Sequence, residues 1–174
     1  MVSLGLNGIL TSTIGSFPLD DTVSNRKRCL DALLNIGIDF PAYPQLRDMD
    51  KQFLGDLVTQ DIGIIIEDGA YKLKTKHIRE TVSPPGLSPL FWTIRYLKNL
   101  GIREKVQVKA PITGPFTLAS YIQTGSGVFP FNTAASDPEL VGQIADIVER
   151  CCEEASKCAE MISCLLYTSP SPRD

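Results

Sequence analysis

Leu10-Thr-Ser-Thr-Ile-Gly-Ser-Phe-Pro18 is a β-branched run that stops abruptly, and the way it stops decides how the chain is read. Gly8 to Ile14 has the composition of a strand, and Gly15 supplies backbone freedom where the chain turns or lets a ligand approach. Ser16 adds a hydroxyl and an N–H at that turn. Pro18 lacks a donor and ends any ladder, while Leu19-Asp20-Asp21-Thr22 offers caps for a helix over Asp21 to Ile36. The order is strand, loop, helix, with the loop where parallel α/β architectures bind substrates. An ordinary βα turn has the same composition, so the motif gains meaning only from its neighbours along the chain.

Working outward, the first helix carries Val23, Leu30, Leu33 and Leu34 on one side and stops at Gly37, a natural C′ residue. A second strand, Ile38 to Tyr43, is bounded by Pro41 and Pro44. The polar loop Pro44-Gln45-Leu46-Arg47 then leads into a helix from Asp48 to Thr59. Ile62 to Glu67 and Ala70 to Lys74 flank Asp68-Gly69, the strongest hairpin signal in the chain, and Ser83-Pro84-Pro85-Gly86 closes that excursion. Ser88-Pro89 starts a helix to Gly101, in which Trp92 is expected in the core. Val106 to Ile112 alternates like a third strand, and Thr113-Gly114-Pro115 turns it into a short helix, Phe116 to Ile122. After the Gly/Phe-rich loop Gly125 to Phe131, Asp137-Pro138-Glu139 caps a long helix to about Met161. Strands alternating with helices imply an α/β fold with a parallel sheet.

The composition is that of an ordinary globular protein, 43% hydrophobic and 21% charged over 174 residues, with no apolar run long enough for a membrane span. No signal peptide is evident, which makes the cytoplasm the expected compartment. A net charge of −3 gives no basic face for nucleic acid, and Arg26-Lys27-Arg28 reads as a solvated helix face. Cys29, Cys151, Cys152 and Cys158 form no CxxC pair and are expected as free thiols, Cys151 and Cys158 on a core-facing stripe with Leu140, Ile144, Ile147, Ala155 and Ile162. His77, the single histidine, lies in a polar stretch and is expected at the surface, away from any zinc site.

Three motifs together carry a resemblance. Thr13-Ile-Gly-Ser-Phe-Pro18, Asp48-Met49 followed by Phe53, and Ile112-Thr-Gly-Pro-Phe-Thr117 are similar, in order and spacing, to the C-terminal barrel of cobalamin-independent methionine synthase and its short archaeal-type relatives. The wider superfamily includes uroporphyrinogen decarboxylase-like proteins and corrinoid-dependent methyltransferases. The resemblance covers about Ile9 to Met161 and implies the N-terminal part of a (β/α)8 TIM barrel, truncated after about three strands, with an inserted β-hairpin. A complete barrel is typically about 250 residues. It further implies a fourth strand with an Asp-Glu-Pro motif after the last helix, where the sequence instead reads Cys164-Leu-Leu-Tyr-Thr-Ser-Pro-Ser-Pro-Arg-Asp174. That string resembles translated sequencing adapter, so the domain is taken as 1–163 and 164–174 as a non-native tail; a Ser/Pro-rich disordered tail has a compatible composition. Strands without neighbours expose ladder groups and apolar faces, and the isolated chain is expected not to fold stably.

By the same resemblance, the activity is methyl transfer to homocysteine, giving methionine, with methyl-folate or a methylcorrinoid as donor and a corrinoid protein as a candidate partner. Zinc binds the thiol in this family and lowers its pKa. The His, Cys, Glu and Cys that hold it belong to the second half of the barrel and have no counterpart here, so no catalytic or metal-ligating residue is assigned and no turnover is expected from this chain alone. The chain would supply the amino-acid cradle: Ile14, Gly15 and Ser16 around the homocysteine carboxylate and amine, with Thr113 and Gly114 at a helix N-terminus lining the same mouth. The larger synthases carry a glutamate just before the Asp-Met pair, on the substrate amine, whereas this chain has Gln45 in Tyr43-Pro-Gln-Leu-Arg-Asp-Met49. Gln45 either hydrogen-bonds the substrate or ties down its own loop. Two other readings stay open: a corrinoid-linked methyltransferase or decarboxylase-like relative acting on another small molecule, and a barrel-derived binding protein without catalysis.

Overall fold

The computed structural model describes residues 9–125 and 131–165. Gly8, most of the Gly/Phe-rich loop and residues 166–174 lie outside the described residues. The fold is mixed α/β, in the order α1 (Val23–Ile36), α2 (Met49–Thr59), β1 (Ile64–Glu67), β2 (Ala70–Leu73), α3 (Ser88–Asn99), β3 (Lys109–Thr113), α4 (Pro115–Ser120), β4 (Ile122–Gln123), α5 (Pro138–Ser156) and β5 (Met161–Leu165). Among the described residues the strands form small sheets and no closed barrel.

Local chemistry sets most boundaries. The Thr22 side chain accepts from the Asn25 N–H at the start of α1, and Gly37 ends the helix with φ 80°. Asp137 caps α5 by accepting from the N–H groups of Glu139 and Leu140, and Pro138 occupies the first turn. The expected hairpin pairs Ile64 with Leu73 through Glu67 with Ala70, and Asp68 and Gly69 both take the positive φ that a type I′ turn requires. β4 adds to it in parallel, Tyr71 opposite Ile122.

Four segments lie side by side in chain order. Ser12 bridges Phe40 and Ser16 bridges Gln45, Ala42 bridges Lys109, and β3 pairs with β5 from Lys109–Met161 to Thr113–Leu165, all in parallel. Two expectations change here. The first two strands, Gly8 to Ile14 and Ile38 to Tyr43, are isolated bridges without a continuous ladder, because Pro41 and Pro44 donate no bonds and Gly15 turns the chain at φ 104°. The last helix ends at Ser156, short of the expected Met161, and Met161–Leu165 form a strand. Cys158 and Ile162 accordingly leave the helical stripe, on which Leu140, Ile144, Ile147, Cys151 and Ala155 are buried as expected.

Smaller corrections have similar causes. The short helix begins at Pro115 and stops at Ser120, which frees Ile122 for β4. Val23 is exposed, while Cys29 joins Leu30 and Leu33 in the core. Arg26 is half-buried against Asp21, which it pairs at 2.5 Å, so only part of Arg26-Lys27-Arg28 is solvated. Trp92 is half-buried, packed against the core and stacked on Tyr96 with centroids 5.2 Å apart. His77 is exposed and faces Glu139, Nδ1 to Oε1 at 3.1 Å. One continuous core joins Leu30, Tyr43, Phe53, Leu57, Leu90, Leu97, Ile112, Leu118 and Ile144 across α1 to α5. Ile9 and Ile14 remain exposed along the outer segment, beyond this core.

Candidate functional site

The ends of three parallel segments converge on one cleft. Ser16 follows the first, Gln45 the second and Thr113 closes β3; together with residues from α1, α2 and α4 they line a cavity of about 850 Å³. Backbone bonds fix the junction, since the Gln45 N–H donates to the Gly15 carbonyl at 2.8 Å and the Phe17 N–H to the Gln45 carbonyl at 3.1 Å. Gly15 lets the segments meet. A Cβ there would stand 2.9 Å from Ala42 Cβ and 3.1 Å from the Tyr43 carbonyl oxygen, at a φ of 104° that disfavours any side chain.

The cleft's rim is charged. Asp21 pairs with Arg26 and with Arg47, each at 2.5 Å, tying the start of α1 to the loop that follows Gln45. Arg47, Asp48, Asp50 and Lys51 line the rim, with Lys51 on Asp48 at 2.6 Å. Beneath them the floor is buried and polar. Gln45 is 1% exposed and Thr113 1%, and neither Gln45 Oε1 nor the Thr113 hydroxyl has a hydrogen-bond partner among the described residues. Each such group costs roughly 1–3 kcal/mol unless something in the cleft engages it.

Behind the floor sits Tyr43, fully buried. Its hydroxyl donates to the Pro111 carbonyl at 2.8 Å and accepts from Gln45 Nε2 at 3.2 Å and Gln52 Nε2 at 3.1 Å. Gln52 Nε2 also donates to the Gly86 carbonyl at 2.6 Å, and Gln52 Oε1 is unpartnered among the described residues. Burial pushes the Tyr43 phenol up to about 12, and it pushes the Cys151 thiol, beneath Pro85, up to about 12 as well. Both folded-state values exceed the ordinary ones, 10.0 and 9.0. The neutral forms therefore stabilise the fold below pH 9, and that contribution is lost as pH rises from about 9 towards 12. Denaturant midpoints are expected to fall steeply above pH 9, and Cys151→Ala to move the onset towards pH 10, which a pH series of chemical melts measures.

Of the residues singled out in the sequence, Ser16, Gln45 and Thr113 share the cleft, while Ile14, Gly15 and Gly114 do not line it. Ile14 is exposed, and Gly15 acts through its turn. Gly114 cannot present its N–H to an anion, because that N–H donates to the Leu165 carbonyl at 2.8 Å and the helix it begins has only 6 residues. Sequence reasoning missed Tyr43 and Gln52. A polar residue beside Phe53 and Leu54 on a buried helix face was the available signal. Among the described residues no three His, Cys, Asp or Glu side chains lie close enough to hold a metal, so they do not supply a zinc site. All five cysteines are free. No helix among the described residues is long and apolar enough to cross a membrane. Compared with known proteins, the chain matches no family model, no curated protein and no solved structure.

Proposed function

We propose that this chain is the amino-acid-binding part of a methionine synthase-like methyltransferase, built on the first strands of a (β/α)8 barrel. The observation that carries the reading is the convergence of Ser16, Gln45 and Thr113, from three successive parallel segments, on one cleft. Barrel enzymes assemble their sites at the C-terminal ends of successive strands. The four segments in chain order, with the hairpin set aside from them, support that architecture.

Homocysteine fits what the cleft presents. Its zwitterionic end needs acceptors for an ammonium and donors for a carboxylate, and the cleft is lined by the polar residues Ser16, Gln45 and Thr113 and by Arg47. In the proposed reaction these groups bind and orient the amino acid, leaving the thiol for activation. Zinc would supply that activation from residues other than those described, and methyl-folate or a methylcorrinoid, the latter on a corrinoid protein, would supply the methyl group. Free cysteines and the charge balance support a cytoplasmic setting without nucleic-acid or membrane partners.

Ser16→Ala tests the cradle. The Ser16 side chain is exposed, so its loss leaves the core intact while removing one ligand hydrogen bond. Homocysteine binding is expected to weaken by about 1 kcal/mol, roughly fivefold in Kd, in calorimetric titrations. Unchanged affinity would remove Ser16 from the site.

A further inference from the structure

We propose that the outer fork of the Arg47 guanidinium, its two Nη groups, is a carboxylate-binding site at the rim of the cleft, and that Asp21 and Arg26 are positioning residues that hold the fork in place. The site itself is independent of the amino-acid reading above. That homocysteine supplies the carboxylate rests on it.

The bonds at Asp21 leave the fork open. Arg26 puts both its Nε, at 2.7 Å, and its Nη2, at 2.5 Å, on Asp21 Oδ1, while Arg47 puts its Nε on Oδ2 at 2.5 Å. Both oxygens of Asp21 are thus engaged. A guanidinium carries five N–H groups, and Arg47 spends one of them here. Its Nη1 and Nη2 groups have no hydrogen-bond partner among the described residues. On the edge away from Nε they offer two parallel N–H bonds, spaced as the two oxygens of a carboxylate accept them.

Charge and exposure put the site on Arg47 and not on Arg26. One carboxylate faces two guanidiniums, so the triad keeps one positive charge. The Asp21 and Arg26 side chains are 14% and 15% exposed and that of Arg47 is 53% exposed. Arg47 lines the cleft, and Asp21 and Arg26 do not. The less exposed pair therefore anchors a long side chain that would otherwise lose much of its freedom on binding a ligand. The rest of the rim does not attract anions in general. Lys51 is matched by Asp48 at 2.6 Å, and Asp20 and Asp50 line the same cleft. Direction, and not diffuse attraction, holds an anion here, which favours a planar carboxylate over a spherical ion.

The 174-residue chain is titrated with acetate, with L-homocysteine and with 3-aminopropane-1-thiol, which is homocysteine without its carboxylate. NMR follows the Arg47 Nε–H, whose exchange with solvent is expected to be slow in the wild type and fast in Asp21→Asn. Acetate is expected to shift the Arg47 side-chain resonances, chloride at the same concentration at least about threefold less, and acetate affinity to fall about fivefold in Asp21→Asn. That substitution adds net positive charge, so tighter acetate binding in the variant would mean that charge alone acts and would overturn the positioning role. No acetate effect on Arg47, or an equal effect of chloride, would overturn the site whatever homocysteine does. Wild type is expected to prefer homocysteine to the aminothiol by about tenfold or more, and Arg47→Ala to bring the two within about threefold by weakening homocysteine alone. Equal weakening of both, or an unchanged preference, would overturn the assignment of that carboxylate to Arg47. Acetate binding at Arg47 without any homocysteine binding would support the site and refute the amino-acid reading.

Discussion

Phe53→Ala is expected to lower the unfolding free energy by about 3–5 kcal/mol, the usual range for emptying a buried phenylalanine site. Phe53 is 0% exposed and belongs to the helix face that also carries Gln52. Its ring lies directly against Gly86, where an added Cβ would come within 2.5 Å of Cδ1. That contact matters to the site as well as to the core, because the Gly86 carbonyl holds Gln52 and the Gly86 N–H donates to Asp56 Oδ2 at 2.8 Å. The backbone at Gly86, fixed at φ 74° and anchored on both sides, resists collapsing into the space that the ring vacates. Urea melts of wild type and variant measure the effect, and a loss below about 1 kcal/mol would mean that the described packing is wrong.

Gly15→Ala is expected to cost about 2–4 kcal/mol, combining an unfavourable positive φ with overpacking against a backbone that cannot retreat. The new methyl would meet Ala42 Cβ at 2.9 Å and the Tyr43 carbonyl at 3.1 Å, and both belong to the neighbouring parallel segment. Relief requires separating the two segments, which breaks the bond from the Gln45 N–H to the Gly15 carbonyl and shifts Ser16 away from Gln45. Stability and ligand binding should therefore fall together. A variant that melts like the wild type would show that the segments are not held this closely.

These two positions also show how much the sequence revealed. The glycine at 15 was legible as a turn beside a ligand loop, and its role as a point of close approach emerges once Ala42 and Tyr43 are seen against it. Caps and turns were legible because their chemistry is local: Thr22, Gly37, Asp68-Gly69 and Asp137-Pro138 each act within a few residues. The cleft was legible in part, through Ser16, Gln45 and Thr113 at the ends of apolar runs. What the sequence hid depends on distance along the chain. The acceptor for Tyr43 is the Pro111 carbonyl, 68 residues away, and the carbonyl that fixes Gln52 lies 34 residues on, so no window contains the network. A fourth strand after the last helix was implied by the resemblance, but the residues that form this segment were not legible as one, for a different reason. Met161-Ile-Ser-Cys-Leu165 comes after a long amphipathic helix without a proline or glycine to announce the break, and its pairing with Lys109–Thr113 is set by the sheet.

The central claim is that Ser16, Gln45 and Thr113 form one amino-acid site, and NMR titration of the 174-residue chain with L-homocysteine tests it most directly. Saturable one-to-one binding, with backbone and side-chain shifts centred on Ser16, Gln45 and Thr113, is the predicted result. Absence of binding, or shifts centred elsewhere, would contradict it.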